Sequence, residues 1–238
     1  MRRLVIAVLM LAVLAAFASA DMPRPAQAIH EEIFPHGDGG ARGLCSIVHY
    51  NVCSGWAWTW SGWAAGDIAG VIFDLPQDCG HSTDTPCSNT KIWWRWRHTM
   101  PGRGFSEVTY RIYEVDQSNC IVGEPLAEYH SDPVENWNLM PGFGDFDADR
   151  ILLAVSWDQV TLPRLNTDRA IMNHNVGCAP EPVAHSFFFG NPQRTMYCPP
   201  LLLEDSYGPC NILMDAEFDC QTTATEPASW GSIKALFK

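Results

Sequence analysis

The sequence predicts an all-β fold: a single antiparallel β-sandwich, jelly-roll-like and disulfide-stabilised. Three observations carry this expectation. Short apolar runs recur between residues 44 and 220, separated by clusters of Gly, Pro, Asn and Asp. That is the pattern of strands joined by turns. Capped stretches with apolar residues at i, i+3 and i+4 are hard to find, so helices are not expected. Nine cysteines follow an export-like N-terminal segment, and in an oxidising compartment cysteines pair.

The chain opens with Arg2 and Arg3, an apolar run from Leu4 to Ala18, and Ala18-Ser19-Ala20. These are the parts of a secretory signal peptide, residues 1–20, cleaved before Asp21. The run is shorter than the roughly 20 apolar residues a membrane span needs, and no later stretch replaces it. The expected product is secreted or held at the cell surface, with no transmembrane segment. Residues 21–43, rich in Pro, Gly, Ala and His, read as a flexible leader.

The sandwich domain is expected over 44–220, with strands at 45–51, 54–61, 67–75, 91–98, 106–115, 150–157, 184–189 and 211–219. Val108, Tyr110 and Ile112 alternate with Thr109 and Arg111, the period of a half-buried strand. Ile151 to Trp157 is more continuously apolar and suits a central strand. Prolines at 76, 86, 101, 125, 133, 141, 163, 180 and 182 break the chain between these runs. An up-and-down barrel is the alternative architecture. Residues 221–229 form a Thr/Ala/Pro linker, and 230–238, WGSIKALFK, close the chain. That end is either a sorting tag read by export or surface-attachment machinery, or a terminal helix that docks Trp230 and Leu236.

After removal of the signal, residues 21–238 are enough for one domain. The full chain carries 15 basic and 27 acidic residues; losing Arg2 and Arg3 leaves 13 against 27, a net charge of −14. Such a balance excludes nucleic acid and anionic membranes as partners, since both need Lys and Arg to neutralise phosphates. Among the cysteines, Cys45/Cys53 and Cys79/Cys87 are close in sequence with equal spacing, and Cys198/Cys210 is a third plausible local loop. Cys120, Cys178 and Cys220 remain, and the odd total leaves one thiol unpaired or bonded between chains. No C-x-x-C occurs, and Cys79-Gly80-His81 with Cys87 lacks a zinc-finger spacing.

The most unusual segment is WAWTWSGW, residues 56–63. On a strand, Trp56, Trp58 and Trp60 share one face. A second aromatic set is split by parity: Trp94 and Trp96 share one face, and Trp93, Arg95 and Arg97 the other. These indoles either fill the core or form an exposed carbohydrate-binding platform on which sugar rings stack. Asp145, Asp147 and Asp149 alternate as at the start of calcium loops. However, the turn glycine is replaced by Arg150, and Ser156 stands where the late acidic ligand belongs. An acidic turn is the competing reading, and no other cofactor is expected. No G-x-S-x-G or P-loop appears, and His30-Glu31-Glu32-Ile33-Phe34 lacks the second histidine of H-E-x-x-H.

The Cys45-to-Cys53 spacing, the stretch NVCSGWAWTWSGWAAGD at 51–67, the HSFFFG run at 185–190 and the closing WGSIKALFK are together similar to a group of uncharacterised secreted proteins of environmental bacteria. The resemblance implies a signal peptide, a cysteine-bearing β-sandwich and a Trp-Gly-x-Ile-Lys sorting tail, and it implies no activity. The expectation is an exported, non-catalytic surface or extracellular sandwich that binds a glycan or another surface component through tryptophans. The alternatives are a structural component of an extracellular assembly, and a secreted polysaccharide hydrolase. The last requires two carboxylates, or a His and a carboxylate, to converge.

Overall fold

The structure, a computed structural model, describes residues 24–30, 44–50, 56–61, 63–80, 86–97, 107–134, 136–157, 164–167, 185–203, 205 and 211–220. For 24–30, 56–61, 97 and 164–167 the backbone alone is described. The expected signal peptide (1–20), linker (221–229) and sorting tail (230–238) lie outside these residues.

The described chain forms strands β1 (Arg24–His30), β2 (Cys45–Val48), β3 (Trp56–Ser61), β4 (Ile68–Asp74), β5 (Cys87–Arg97), β6 (Val108–Val115), β7 (Ile121–Ser131) and β8 (Asn136–Phe146). They continue with β9 (Arg150–Trp157), β10 (Arg164–Thr167), β11 (Ser186–Gly190), β12 (Met196–Leu202) and β13 (Met214–Cys220). One helical turn, α1 (Leu75–Cys79), follows β4. Asp74 caps it by accepting from the Gln77 N–H, and Gly80 ends it in the left-handed conformation, as helix caps do.

All ladders are antiparallel, and four nest one inside another along the chain. β6 pairs with β7, β5 with β8, β4 with β9, and β2 with β13. Successive pairs fall in alternate sheets, as when one long hairpin is rolled up. The larger sheet holds β8, β5, β13 and β2, extended by β10, β3 and β1; the smaller runs β12-β11-β4-β9-β6-β7. This is the jelly roll the sequence predicts. Residues 24–30, expected within a flexible leader, instead form β1 along β3.

The inner faces supply the main core: Ile92, Trp94, Trp96, Met214, Ala216 and Phe218 from the larger sheet, against Phe73, Tyr110, Ile112, Leu153, Val155 and Trp157 from the smaller. Trp96 Nε1 donates to Tyr110 Oη across the layers at 2.9 Å. Burial raises the Tyr110 phenol well above its ordinary pKa, so it remains protonated. A second apolar cluster, including Ile72, Leu152, Phe187 and Phe189, lies on the outer face of the smaller sheet.

Three disulfides join Cys45 to Cys79, Cys87 to Cys220 and Cys120 to Cys198. The local pairs expected from spacing, Cys45/Cys53, Cys79/Cys87 and Cys198/Cys210, are therefore corrected. The reason is topological: a rolled hairpin brings distant ends together. Cys87 and Cys220 stand in register on β5 and β13, although they are 133 residues apart. Cys120–Cys198 ties β12 to the turn before β7, joining the two border strands of the smaller sheet. Ile121 and Leu202, from those same strands, pack on its outer cluster. Cys53, Cys178 and Cys210 lie outside the described residues. Among the described residues no helix is long and apolar enough to cross a membrane.

β7, β8 and β12 went unpredicted because each contains proline. Pro125, Pro141 and Pro199–Pro200 sit inside strands that each pair with one described neighbour. A border strand or bulge tolerates a residue with no N–H to donate.

Candidate functional site

The site begins with a parity change. Cys87 and Ile92 both face the core, yet they stand an odd number of residues apart, which a regular strand does not allow. The register shifts at Asn89–Lys91 against both β13 and β8 absorb the difference. Thr90 is the extra residue against β13, a β-bulge. The buried Asn89 side chain holds this point: its Nδ2 donates to the Glu217 carbonyl at 3.1 Å and to that of Lys91 at 3.3 Å. Its Oδ1 accepts from the Phe143 N–H at 3.4 Å. On β8, a Cβ on Gly142 would meet the Asn89 carbonyl oxygen at 1.9 Å, so this approach admits only glycine.

Beyond the bulge, Ile92, Trp94 and Trp96 point inward and Lys91, Trp93 and Arg95 outward. Trp94 and Trp96 are 0% exposed. They are core residues and offer no indole face to a sugar, which corrects the platform expected there. Trp56, Trp58 and Trp60 occupy alternate positions on β3; their side chains lie outside the described residues.

The outward rows are read across the ladders. Leu139 stands beside Trp93, Trp93 beside Asp215, and Asp215 beside Val48. Trp137 stands beside Arg95, and Lys91 beside Glu217. Trp93 and Trp137 are half-buried, and Trp137 lies 5.9 Å from the Tyr50 ring. Among them sit three charged residues with little exposure: Arg95 at 2%, Asp215 at 1% and Glu217 at 5%. Arg95 Nε donates to Asn136 Oδ1 at 3.1 Å, and Lys91 Nζ lies 3.2 Å from Glu217 Oε2. Charged groups are almost never this buried unless partnered, and here they gather on the outward face of a sheet. No family model, curated protein or solved structure matches this chain. The face must therefore be read from its own chemistry. It combines the half-buried indoles of Trp93 and Trp137 with the exposed Lys91 and Leu139, while Arg95, Asp215 and Glu217 lie too deep to touch a ligand and support this surface from beneath.

Asp145, Asp147 and Asp149 do not converge. Asp145 Oδ1 accepts from Ser88 Oγ, Asp147 is exposed, and the Asp149 carbonyl accepts from the Leu75 N–H. Arg150 pairs with Asp74 across β4 and β9 at 3.2 Å. Among the described residues no group of three or more His, Cys, Asp or Glu is placed to hold a metal ion.

A polar corner at α1 went unread in the sequence. His49 and His185 stack with ring centroids 3.6 Å apart, and His49 Nε2 lies 3.5 Å from Asp78 Oδ2. Burial, with the neighbouring His49, pushes His185 down to about 4. Burial alone would raise the Asp78 carboxyl; its hydrogen bond and attraction to His49 and the Asp74 N–H outweigh that and hold it below its usual value.

Proposed function

We propose that this chain is an exported jelly-roll protein that binds polysaccharide on the outer face of its larger sheet. The observation that carries the reading is the pair of half-buried indoles, Trp93 and Trp137, on the outward face with the exposed Lys91 on the same row of β5 as Trp93. Indole faces take the apolar C–H faces of sugar rings, and a few fixed polar groups orient the hydroxyls. Export is supported by the N-terminal segment and agrees with three disulfides. Residues 230–238 serve as the sorting signal in this reading.

Affinity electrophoresis against a panel of neutral and acidic polysaccharides tests it. One glycan should retard the protein, and Trp93→Ala should weaken that binding at least about tenfold, the loss of roughly 1.4 kcal/mol. Retardation by no glycan, or retardation unchanged in Trp93→Ala, would refute the glycan reading. A structural role in an extracellular assembly is the second reading, and the odd cysteine count favours it.

A further inference from the structure

The outer face of the smaller sheet is closed. An antiparallel sheet commonly leaves that side to water, yet Leu152 and Phe189 on it are 0% and 1% exposed. Twist lifts opposite corners of a sheet toward one another, and here two such corners meet. Met196 of β12 is level, through Gly190, with Ile68 at one end of β4. Ile121 of β7 stands beside Val115, one residue past Glu114, which is level through Ile151 with Phe73 at the other end. Cys120 and Cys198 join these two corners, and Ile121 and Leu202 from the same borders pack on the cluster.

The two ends of the bridge are held differently. Cys120 is buried in a turn with its own supports. Asp116 Oδ1 accepts from the Ser118 and Cys120 N–H groups at 2.8 and 2.9 Å, and Arg150 Nη2 donates to Asn119 Oδ1 at 2.7 Å. Cys198 is exposed. Its strand pairs with β11 at Met196, Leu201 and Leu202, and residues 197–200 between them have no partner in that ladder. β7 and β12 share no described ladder with each other. The other bridges are deeper: Cys87 and Cys220 belong to the main core, and the half-buried Cys45 and Cys79 pack against it. Of the three, Cys120–Cys198 is the bridge a thiol in solution reaches, and exposed disulfides are the labile ones.

We propose that Cys120–Cys198 is a redox latch: an external dithiol opens it, residues 197–200 come away from the β6–β7 turn, and the outer apolar cluster is uncovered while the main core stays closed. A thiolate of the dithiol bonds to Cys198 Sγ. The Cys120–Cys198 bond breaks, and its electron pair leaves on Cys120 Sγ, which takes a proton. The second thiol of the reagent then displaces Cys198, which also leaves as a thiol. Two electrons and two protons pass to the protein, and the reagent becomes a disulfide. Cys120 stays in its hydrogen-bonded turn, so the mobile partner is Cys198. The latch works on the opposite sheet from the glycan face and does not rest on that reading.

Timed reduction of the native protein tests this. Free thiols are blocked first, dithiothreitol is added, samples are quenched with iodoacetamide, and the labelled peptides are mapped. Binding of the apolar dye ANS and tryptophan emission are followed in the same samples. Cys120 and Cys198 should be labelled at least about tenfold faster than Cys87 and Cys220, because the buried bridge waits for a larger opening. ANS fluorescence should rise in step with that labelling and fall again on reoxidation, while the emission of the core tryptophans keeps its wavelength. The double variant Cys120→Ser/Cys198→Ser should bind ANS without reductant; if it does not fold, the selectively reduced wild-type protein decides alone. Labelling of Cys87 or Cys45 as fast as Cys198 overturns the proposal. So does an opened Cys120–Cys198 bridge without a rise in ANS fluorescence, or a red shift of tryptophan emission at the same step, which would mean that the whole domain unfolds.

Discussion

Replacing Asn89 with alanine tests whether one buried amide sets the two faces of the larger sheet. The side chain is 1% exposed, so water cannot take its place at full value. Its best bond, to the Glu217 carbonyl, is 3.1 Å long, and losing a bond of this kind costs about 1 kcal/mol. That carbonyl keeps a second donor, Thr90 Oγ1 at 3.2 Å, so it is not stranded. The Phe143 N–H does lose its side-chain acceptor, and a stranded buried donor costs about 1–3 kcal/mol. The expected total is roughly 2–4 kcal/mol, or about 5–15 °C in Tm for a domain of this size. Urea denaturation followed by tryptophan fluorescence measures it. Thr90→Val alone should cost less, and the double variant more than the two singles added, because only the double strips both donors from the Glu217 carbonyl. A loss under about 1 kcal/mol for Asn89→Ala, with additive behaviour, would show that the ladders alone set the register and that the amide does not hold the bulge.

Other consequences are reached by simpler measurements. The three disulfides use six of the nine cysteines, so parity requires an odd number of thiols outside intrachain bonds. Thiol titration of the denatured, unreduced monomer should find one or three, unless non-reducing mass analysis shows a cross-linked species. Chain entropy ranks the bridges by separation, 133, 78 and 34 residues, at about 5, 4.5 and 4 kcal/mol. Paired serine substitutions should therefore cost most at Cys87/Cys220 and least at Cys45/Cys79; the reverse order in denaturant midpoints would contradict the assigned pairing. Acidification should destabilise the fold. His185 titrates at about 4 when folded and at 6.5 when unfolded, so between those values the unfolded chain binds more protons and stability falls as pH falls. The lowered Asp78 carboxyl extends the loss below that window. Melting curves of His185→Gln should be flatter from pH 6.5 to 4, and an unchanged slope would count against the stacked pair as the cause.

The legible part of this protein was whatever local periodicity encodes. Alternation in β6 and the apolar run of β9 gave both strands almost to the residue, because their side chains meet the core on a strict period. Proline misled at β7 and β8: it argues against a strand only where both sides must donate, and a sequence does not say which strands lie at a border. The cysteines misled for a related reason. Spacing favours short loops, whereas nested ladders bring residues 87 and 220 into register. The tryptophan pair at 93–94 shows how far local reading reaches. Its two faces were separable by parity, but the inward face was set by a shift at Asn89–Thr90 that no hydropathy pattern marks. That shift turns Trp94 and Trp96 into core and leaves Trp93 half-buried on the opposite face. A one-residue slip there would exchange the two sets, turning the Arg95 guanidinium into the apolar core that holds Tyr110 and Trp157. The cost of that exchange makes the bulge, and not the count of tryptophans, the feature that decides which residues a ligand could reach.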